Sequence, residues 1–229
     1  MRQKVVIIGA GGFGREVLDI CEEDNRSGVR WEILGFVDDN PEVQSQKVRG
    51  YPVLGGVEVF SKFKANEVKA VIAIGDNRIR KKVAEKAAAY GAGFCNVIHP
   101  SAIMTPHVKL GKGVIIAAGC ILTNNITVGD FVIINLGVTV GHDTEIESFV
   151  NLNPGVHING NNKIGEGAYI GSGAVTIQNI TIGKWSVIGA GAVVTNDIPD
   201  RVVAVGVPAK PIKLMENEEK ATSRIVDSI

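Results

Sequence analysis

Residues 110–140 read LGKGVIIAAGCILTNNITVGDFVIINLGVTV, and within them an aliphatic residue returns at every sixth place. The series extends beyond this stretch, because 14 of the 15 sixth places from 110 to 194 are aliphatic and only Thr176 breaks the order. The aliphatic places are Leu110, Ile116, Leu122, Val128, Ile134, Val140, Ile146, Leu152, Ile158, Ile164, Ile170, Ile182, Ile188 and Val194.

A period of six fits neither a helix nor an alternating strand. It fits a short strand followed by a tight corner, repeated three times per turn of a triangular coil, with the aliphatic side chain inside. Glycine often follows the aliphatic residue and tolerates a strained corner. The segment resembles the hexapeptide repeat of the left-handed β-helix acyltransferases. That resemblance implies a left-handed parallel β-helix over residues 98–197, with about five turns of about 18 residues each.

Residues 1–97 have a different pattern, in which strands and helices alternate. The predicted strands are Lys4–Ile8, Trp31–Val37, Val68–Ile74 and Phe94–Val97, and the predicted helices lie near Phe13–Glu23 and at Arg78–Tyr90. This pattern predicts a small, Rossmann-like parallel α/β domain. We therefore divide the chain into an α/β domain (1–97), a β-helix (98–197) and a C-terminal loop and tail (198–229).

The turn after the first strand, Gly9–Gly14, matches the G-x-G-x-x-G pattern, and Asp38 and Asp39 close the second strand. One reading is a dinucleotide-binding enzyme. A dehydrogenase needs a substrate domain, however, and here the rest of the chain is a repeat scaffold. A second reading is a tight turn with no ligand. We favour a third, in which backbone N–H groups at the helix start bind a phosphate or sugar of a nucleotide.

Composition and charge narrow the class of protein. The 24 basic and 24 acidic residues of the 229-residue chain cancel, so no net field favours a nucleic acid or an anionic membrane. No segment approaches the length needed to span a bilayer, and we expect a cytoplasmic protein. Three cysteines without C-x-x-C spacing predict neither a disulfide framework nor a cysteine-built zinc site.

Several short motifs add a more specific resemblance. They are Gly11–Phe13, Phe36–Asp39, Ala73–Asn77, Ile98–Pro100, Gly141–Asp143 and Val205–Lys210. With the two halves in this order, the chain resembles the nucleotide-activated 4-amino-sugar N-acetyltransferases over nearly its whole length. Relatives include bacillosamine-pathway and perosamine acetyltransferases and the so-called sialic-acid O-acetyltransferases. The resemblance implies acetyl-CoA and a nucleotide-linked amino sugar as substrates, no metal, and a homotrimer.

The family's contacts to the nucleotide sugar map to the glycine loop, the paired acids and the A-I-G-x-N turn. In this chain those residues are Gly11, Gly12, Phe13, Asp38, Asp39, Gly75 and Asn77. Some relatives have histidine where this chain has Phe13, so its contact differs from theirs or is made by backbone alone.

Acetyl transfer needs a base for the attacking amine, and four histidines are available. His99 precedes a proline at the domain junction, and His107 lies in the first coil. His142 falls at a corner of the coil, where Asp143 can bond one ring nitrogen and raise the basicity of the other. The pair resembles the family's catalytic His-acid pair. His157 is expected on an outer face, and it is the next candidate.

The resemblance also implies several further contacts. Asn135 would help to place the acceptor, and the backbone N–H of Gly160 would face the thioester carbonyl. Asn151 stands where relatives often place a histidine that touches the cofactor. The coenzyme is expected to pass small residues in a groove between two subunits and to end near lysines. Those residues are Ser172, Gly173, Ala190, Gly191, Lys210 and Lys213.

Other functions share this kind of coil. A γ-type carbonic anhydrase needs two histidines five residues apart on one coil edge, and no two of the four histidines have that spacing. A silent nucleotide-binding module would not need the His142–Asp143 pair. O-acetylation of a sugar hydroxyl is the nearest alternative to N-acetylation.

Overall fold

A computed structural model describes residues 2–28, 30–64 and 67–215 of the chain. Its first part is an α/β domain whose main sheet has the order β2-β1-β5-β6, with all neighbours parallel. The strands β3 and β4 form a small antiparallel hairpin. The elements are β1 (Gln3–Ile8), α1 (Gly12–Ser27), β2 (Trp31–Val37), β3 (Lys47–Val48), β4 (Tyr51–Pro52), a 3-10 helix (Val57–Lys62), β5 (Val68–Ile72), α2 (Asn77–Ala89) and β6 (Gly93–Phe94). The predicted Rossmann-like α/β domain is confirmed.

Several element bounds differ from the prediction, and β5, for example, ends at Ile72 and not at the predicted Ile74. Helix α1 continues to Ser27, about one turn beyond the predicted end. The predicted strand Phe94–Val97 is two strands, because the chain leaves one sheet and enters another at this point. Gly93–Phe94 pairs with β5, whereas Val97–Ile98 pairs with Ile115–Ile116 of the coil. The first strand of the β-helix thus starts one residue before the predicted domain boundary.

The rest of the chain forms the predicted left-handed β-helix, in which strands pair in parallel with partners 18 residues away. We call its three sheets the N-domain face, the aliphatic face and the polar face, after the domain or the side chains that lie on each. The N-domain face, against which the α/β domain packs, contains Val97–Ile98, Ile115–Ile116, Ile133–Ile134, Asn151–Leu152, Tyr169–Ile170, Val187–Ile188 and Val202–Val205. The aliphatic face contains Ile103–Met104, Ile121–Leu122, Thr139–Val140, His157–Ile158, Val175–Thr176 and Val193–Val194. The polar face contains Val108–Leu110, Ile126–Val128, Glu145–Ile146, Lys163–Ile164 and Thr181–Ile182.

Three columns of corner residues with positive φ join these faces. The glycine corner, between the N-domain and aliphatic faces, consists of Gly119, Gly137, Gly155, Gly173 and Gly191. The asparagine corner, between the aliphatic and polar faces, consists of Asn125, Asp143, Asn161 and Asn179. The aromatic corner, between the polar and N-domain faces, consists of Gly113, Phe131, Phe149, Gly167 and Trp185. Glycine, asparagine and aspartate tolerate this left-handed conformation best, so the first two columns suit their backbone.

The interior of the coil is mostly aliphatic, with Thr144 and Ser186 as buried polar exceptions and a third exception at the place where the repeat fails. Thr176 is buried there beside Asn162, whose side-chain amide donates to the threonine hydroxyl oxygen. The same oxygen accepts from the Asn159 N–H at 3.1 Å, and the Asn162 carbonyl accepts from the Ile180 N–H. The irregular place is therefore a buried polar pair that satisfies its own hydrogen bonds.

The segment predicted as a C-terminal loop contains two strands. Val202–Val205 extends the N-domain face in parallel, and Lys210–Leu214 returns antiparallel to it. This hairpin covers the last coil, while residues 216–229 of the predicted tail lie outside the described residues.

Candidate functional site

The His142 side chain lies at the asparagine corner and is more than half exposed. Its Nδ1 is 2.8 Å from Oδ2 of Asp143, so the carboxylate can accept a hydrogen bond from Nδ1–H. This bond selects the tautomer whose Nε2 carries no proton, which is the form that can act as a base. The predicted pairing of these two residues is therefore present in the structure.

The ring of His142 lies against Gly160, one coil further along. A Cβ added to Gly160 would stand 2.8 Å from both Cε1 and Nε2 of the ring, so the glycine leaves the space that the imidazole fills. Within the described part of the chain, the Gly160 N–H donates to no acceptor. A base nitrogen and an unused N–H thus meet at one place on the corner.

Asp143 accepts from two donors at this corner. Its second oxygen, Oδ1, accepts from Nδ2 of Asn125 at 2.6 Å. The hydrogen bond from Asn125, followed by that from His142, lowers the pKa of the Asp143 carboxyl below its ordinary value. Asp143 is therefore ionised throughout the neutral range, and a negative charge stands beside the imidazole.

A cleft of about 450 Å³ lies elsewhere, between the start of α2 and the upper part of the N-domain face. It brings together five of the residues predicted to bind substrate or cofactor: Gly75, Asn77, Asn151, Ser172 and Ala190. Arg78, Tyr169 and Trp185 also line it, and the sequence analysis did not identify them. These five predicted residues thus lie in the cleft, whereas His142, Asp143 and Gly160 lie at the asparagine corner.

Two of the predicted cleft residues have internal partners. The Asn151 side-chain amide donates to the carbonyl of Gly75, and its carbonyl accepts from Arg80 at 2.6 Å. The Asn77 amide donates to the carbonyl of Gly167. Both side chains are buried, so in this structure they join the two domains and do not project into the cleft as free polar groups.

Arg80 is the charged residue that sequence analysis missed. It lies on α2, is 1% exposed, and donates only to oxygen atoms of uncharged groups. Burial lowers the pKa of its guanidinium to about 9, so the side chain remains charged at neutral pH. Its acceptors within 3.2 Å are the carbonyls of Ile74, Gly75, Phe131 and Phe149 and the side chain of Asn151.

The glycine loop and the paired acids lie at the carboxyl end of the α/β sheet. Gly11 and Gly12 are exposed, whereas the Phe13 side chain packs against the core that the two domains share. Asp38 accepts from the Ala10 N–H at 2.9 Å, which ties the loop to the second strand. Asp39 pairs with Lys86 at 2.7 Å, and that hydrogen bond lowers the pKa of the carboxyl.

The remaining predicted residues lie along the glycine corner or beyond it. Asn135 starts this corner, and its Oδ1 accepts from the Leu136 N–H at 2.7 Å. A Cβ at Gly173 or Gly191 would meet nothing within 4 Å, so this edge is unobstructed. Lys210 is exposed on the C-terminal hairpin. The aliphatic face separates all of them from His142 within one chain.

Two findings concern what the described residues lack. No described helix is long and apolar enough to cross a membrane. Within the same residues, no three or more histidine, cysteine or acidic side chains are grouped so that they could hold a metal ion.

The two halves of the chain match two different protein families. Residues 4–87 match the family described as the PglD N-terminal domain, and residues 161–196 match the bacterial transferase hexapeptide family of six repeats. A GDP-perosamine N-acetyltransferase from Escherichia coli O157:H7 is 33% identical over 112 residues, which are 48% of this chain and 49% of that protein. The chain thus spans about half the length of this curated relative.

Solved structures match over a longer range. The acetyltransferase domain of PglB from Neisseria gonorrhoeae FA1090, in complex with acetyl coenzyme A, is 36% identical with a TM-score of 0.85. The match covers 93% of this chain and 100% of that one. PerB from Caulobacter crescentus, in complex with CoA and GDP-perosamine, is 37% identical with a TM-score of 0.84 over 92% of this chain and 97% of that one.

Proposed function

Because this chain belongs to the hexapeptide-repeat N-acetyltransferases of nucleotide-linked amino sugars, we propose that it moves the acetyl group of acetyl-CoA to such a sugar's amino group. The proposal rests on the groups that meet at the asparagine corner around His142. A histidine whose Nδ1 faces a carboxylate, that ionised carboxylate, and a backbone N–H with no acceptor among the described residues supply the base, its partner and the oxyanion donor for acyl transfer from a thioester.

His142 is the proposed general base. As the sugar nitrogen attacks the acetyl carbon, Nε2 accepts a proton from that nitrogen, and the Asp143 carboxylate stabilises the imidazolium that forms. The Gly160 N–H donates to the thioester carbonyl oxygen, where negative charge develops. The C–S bond then breaks, and the imidazolium returns the proton to the departing sulfur, so that CoA leaves as the thiol. Transfer is direct, because the pair contains no serine or cysteine nucleophile.

Each substrate is assigned its own set of predicted residues, and the two sets meet in the cleft beside α2. For the nucleotide sugar we propose Gly11, Gly12, Phe13 through its backbone, Asp38, Asp39, Gly75, Asn77 and Asn135. For acetyl-CoA we propose the edge formed by Asn151, Gly160, Ser172, Gly173, Ala190, Gly191 and Lys210. The open glycine corner and the adjoining cleft leave room for a long, thin ligand. A cytoplasmic location stays a prediction.

We further propose a homotrimer in which neighbouring subunits share each site. The aliphatic face carries exposed apolar side chains, and Ile103 is 62% and Ile121 39% exposed. Large exposed apolar patches mark interaction surfaces. If three copies pack these faces around a threefold axis, the glycine corner of one meets the asparagine corner of the next. This arrangement joins the cofactor edge to His142.

The activity is tested by a thiol-release assay with acetyl-CoA and a panel of UDP-, dTDP- and GDP-linked amino sugars. We expect CoA release with at least one amino sugar and none with the matched sugar that has a hydroxyl in place of the amine. Acetylation of the hydroxyl compound alone would favour the O-acetyltransferase alternative. No turnover with any panel member, together with tight NAD binding, would contradict the proposal.

The shared site is tested by mixing two inactive variants. His142→Ala removes the base, and Ser172→Trp blocks the cofactor edge. In randomly mixed trimers about one quarter of the sites combine an intact base with an intact edge, so activity returns to about one quarter of the parent. If both groups belonged to one chain's site, mixing would restore nothing.

A further inference from the structure

The asparagine corner contains one contact that the proposed mechanism does not use. Asn125 stands one coil before Asp143 in the same column, and its Nδ2 donates to Oδ1 of Asp143 at 2.6 Å. The other carboxylate oxygen accepts from His142 at 2.8 Å. The carboxylate is therefore held from two sides, by the imidazole and by the amide of the preceding coil.

Asp143 has little else to fix its orientation. Half of its side chain is exposed, and its backbone has a φ of 56° at the very tip of the corner. A half-exposed aspartate can adopt several side-chain conformations, and only some of them reach the ring. Within the described residues, its side chain bonds to Asn125 and His142 alone.

We propose that Asn125 is a positioning residue, whose side-chain amide holds the Asp143 carboxylate where it accepts from Nδ1 of His142. The inference rests on the proposed function of the His142–Asp143 pair. Through this contact the previous coil fixes the tautomer and the direction of the imidazole, although Asn125 itself touches neither substrate. The same hydrogen bond is the first cause of the lowered pKa of Asp143.

The column supplies a matched control two coils away. Asn161 donates through Nδ2 to Oδ1 of Asn179 across the same 18-residue step, at the same corner and with the same positive φ. No histidine adjoins that pair in the chain. Removal of the Asn179 side chain therefore breaks an equivalent contact without touching Asp143 or His142.

The test uses glycine, which adopts positive φ freely, so that the side chain is removed without backbone strain. Asn125→Gly is expected to lower kcat about fivefold, the effect of one hydrogen bond to a charged group at an exposed site, with KM for acetyl-CoA unchanged. Asn179→Gly is expected to leave kcat unchanged. In an Asp143→Gly background, Asn125→Gly is expected to cause no further loss, because its target is already absent.

A second measurement reports the contact without any turnover. The carboxyl pKa of Asp143, followed by nuclear magnetic resonance, should rise in Asn125→Gly and stay unchanged in Asn179→Gly. A parental kcat for Asn125→Gly, when Asp143→Gly is slow, would overturn the inference. So would losses that add in the double variant, since they would show that Asn125 acts on folding. A parental rate for Asp143→Gly would contradict the proposed catalytic role of the His142–Asp143 pair, and Asn125 would then have no carboxylate to position for catalysis.

Discussion

At the scale of single residues, the small size of Gly160 determines where the His142 ring can lie. Gly160 leaves the space in which the His142 ring stands, and its N–H has no acceptor among the described residues. The backbone at Gly160 does not have positive φ, so alanine is compatible with its conformation. The glycine is therefore required by the imidazole and by the ligand, and the fold of the chain does not require it.

Gly160→Ala should lower kcat by about tenfold or more, because the new methyl group would stand 2.8 Å from Cε1 and Nε2, closer than a van der Waals contact, and would displace the base. The thermal unfolding midpoint should stay close to that of the parent. Steady-state kinetics and calorimetry on the same preparation check both points. Full activity of Gly160→Ala would show that catalysis does not depend on the present position of the His142 ring.

Asp143→Asn should cost less than loss of the histidine. The amide still bonds near the ring, but the negative charge that favours the imidazolium is gone, so the apparent pKa of the base should fall. In a plot of kcat against pH, the acidic limb should therefore move to lower pH. An unchanged limb would mean that the carboxylate does not act on the imidazole.

At the scale of elements, helix α2 is joined to the coil by the buried Arg80. Its guanidinium satisfies carbonyls at the aromatic corner and in the turn before α2, and it orients Asn151. Removing the donor leaves several buried acceptors without a partner, and such losses are costly.

Arg80→Met should lower the free energy of unfolding by about 3 to 5 kcal/mol. The control is Lys82→Met, two residues further along the same helix and exposed, which should change stability by about 0.5 kcal/mol or less. Chemical unfolding followed by fluorescence distinguishes them. Equal stability of the two variants would contradict the view that Arg80 joins the domains.

Some features of these elements could be predicted from the sequence, and others could not. The coil is built from a short-range repeat, so its interior places follow from residue type. Its corners do not: the pattern predicts glycine directly after the aliphatic residue at the strained corner, whereas the residues with positive φ, such as Asn125 and Phe131, stand three places after it. The Rossmann-like half follows from its alternating pattern, but helix ends such as Ser27 do not. Arg80 could not be predicted, because its acceptors at Phe131 and at Phe149–Asn151 lie in two distant segments that meet α2 only when the domains pack.

At the scale of the whole molecule, the aliphatic face is where a single chain exposes large apolar side chains such as Ile103 and Ile121. We expect a trimer by light scattering, and Ile121→Glu should shift the mass toward a monomer because a charge would be buried in the contact. Thr181→Glu, on the polar face, should remain trimeric. The monomer should also lack acetyl transfer, since the two corners no longer meet. A parent protein that is monomeric at micromolar concentration would contradict the arrangement.

The central claim is that His142 takes the proton from the attacking amine, and the turnover of His142→Ala tests it most directly. With saturating acetyl-CoA and an accepted nucleotide amino sugar, kcat should fall by about 10² to 10⁴, the usual effect of a lost general base, while KM for acetyl-CoA stays near the parental value. Turnover within about threefold of the parent would contradict the account and direct the search for the base to His157, which lies on the aliphatic face within 2.8 Å of the Thr139 hydroxyl.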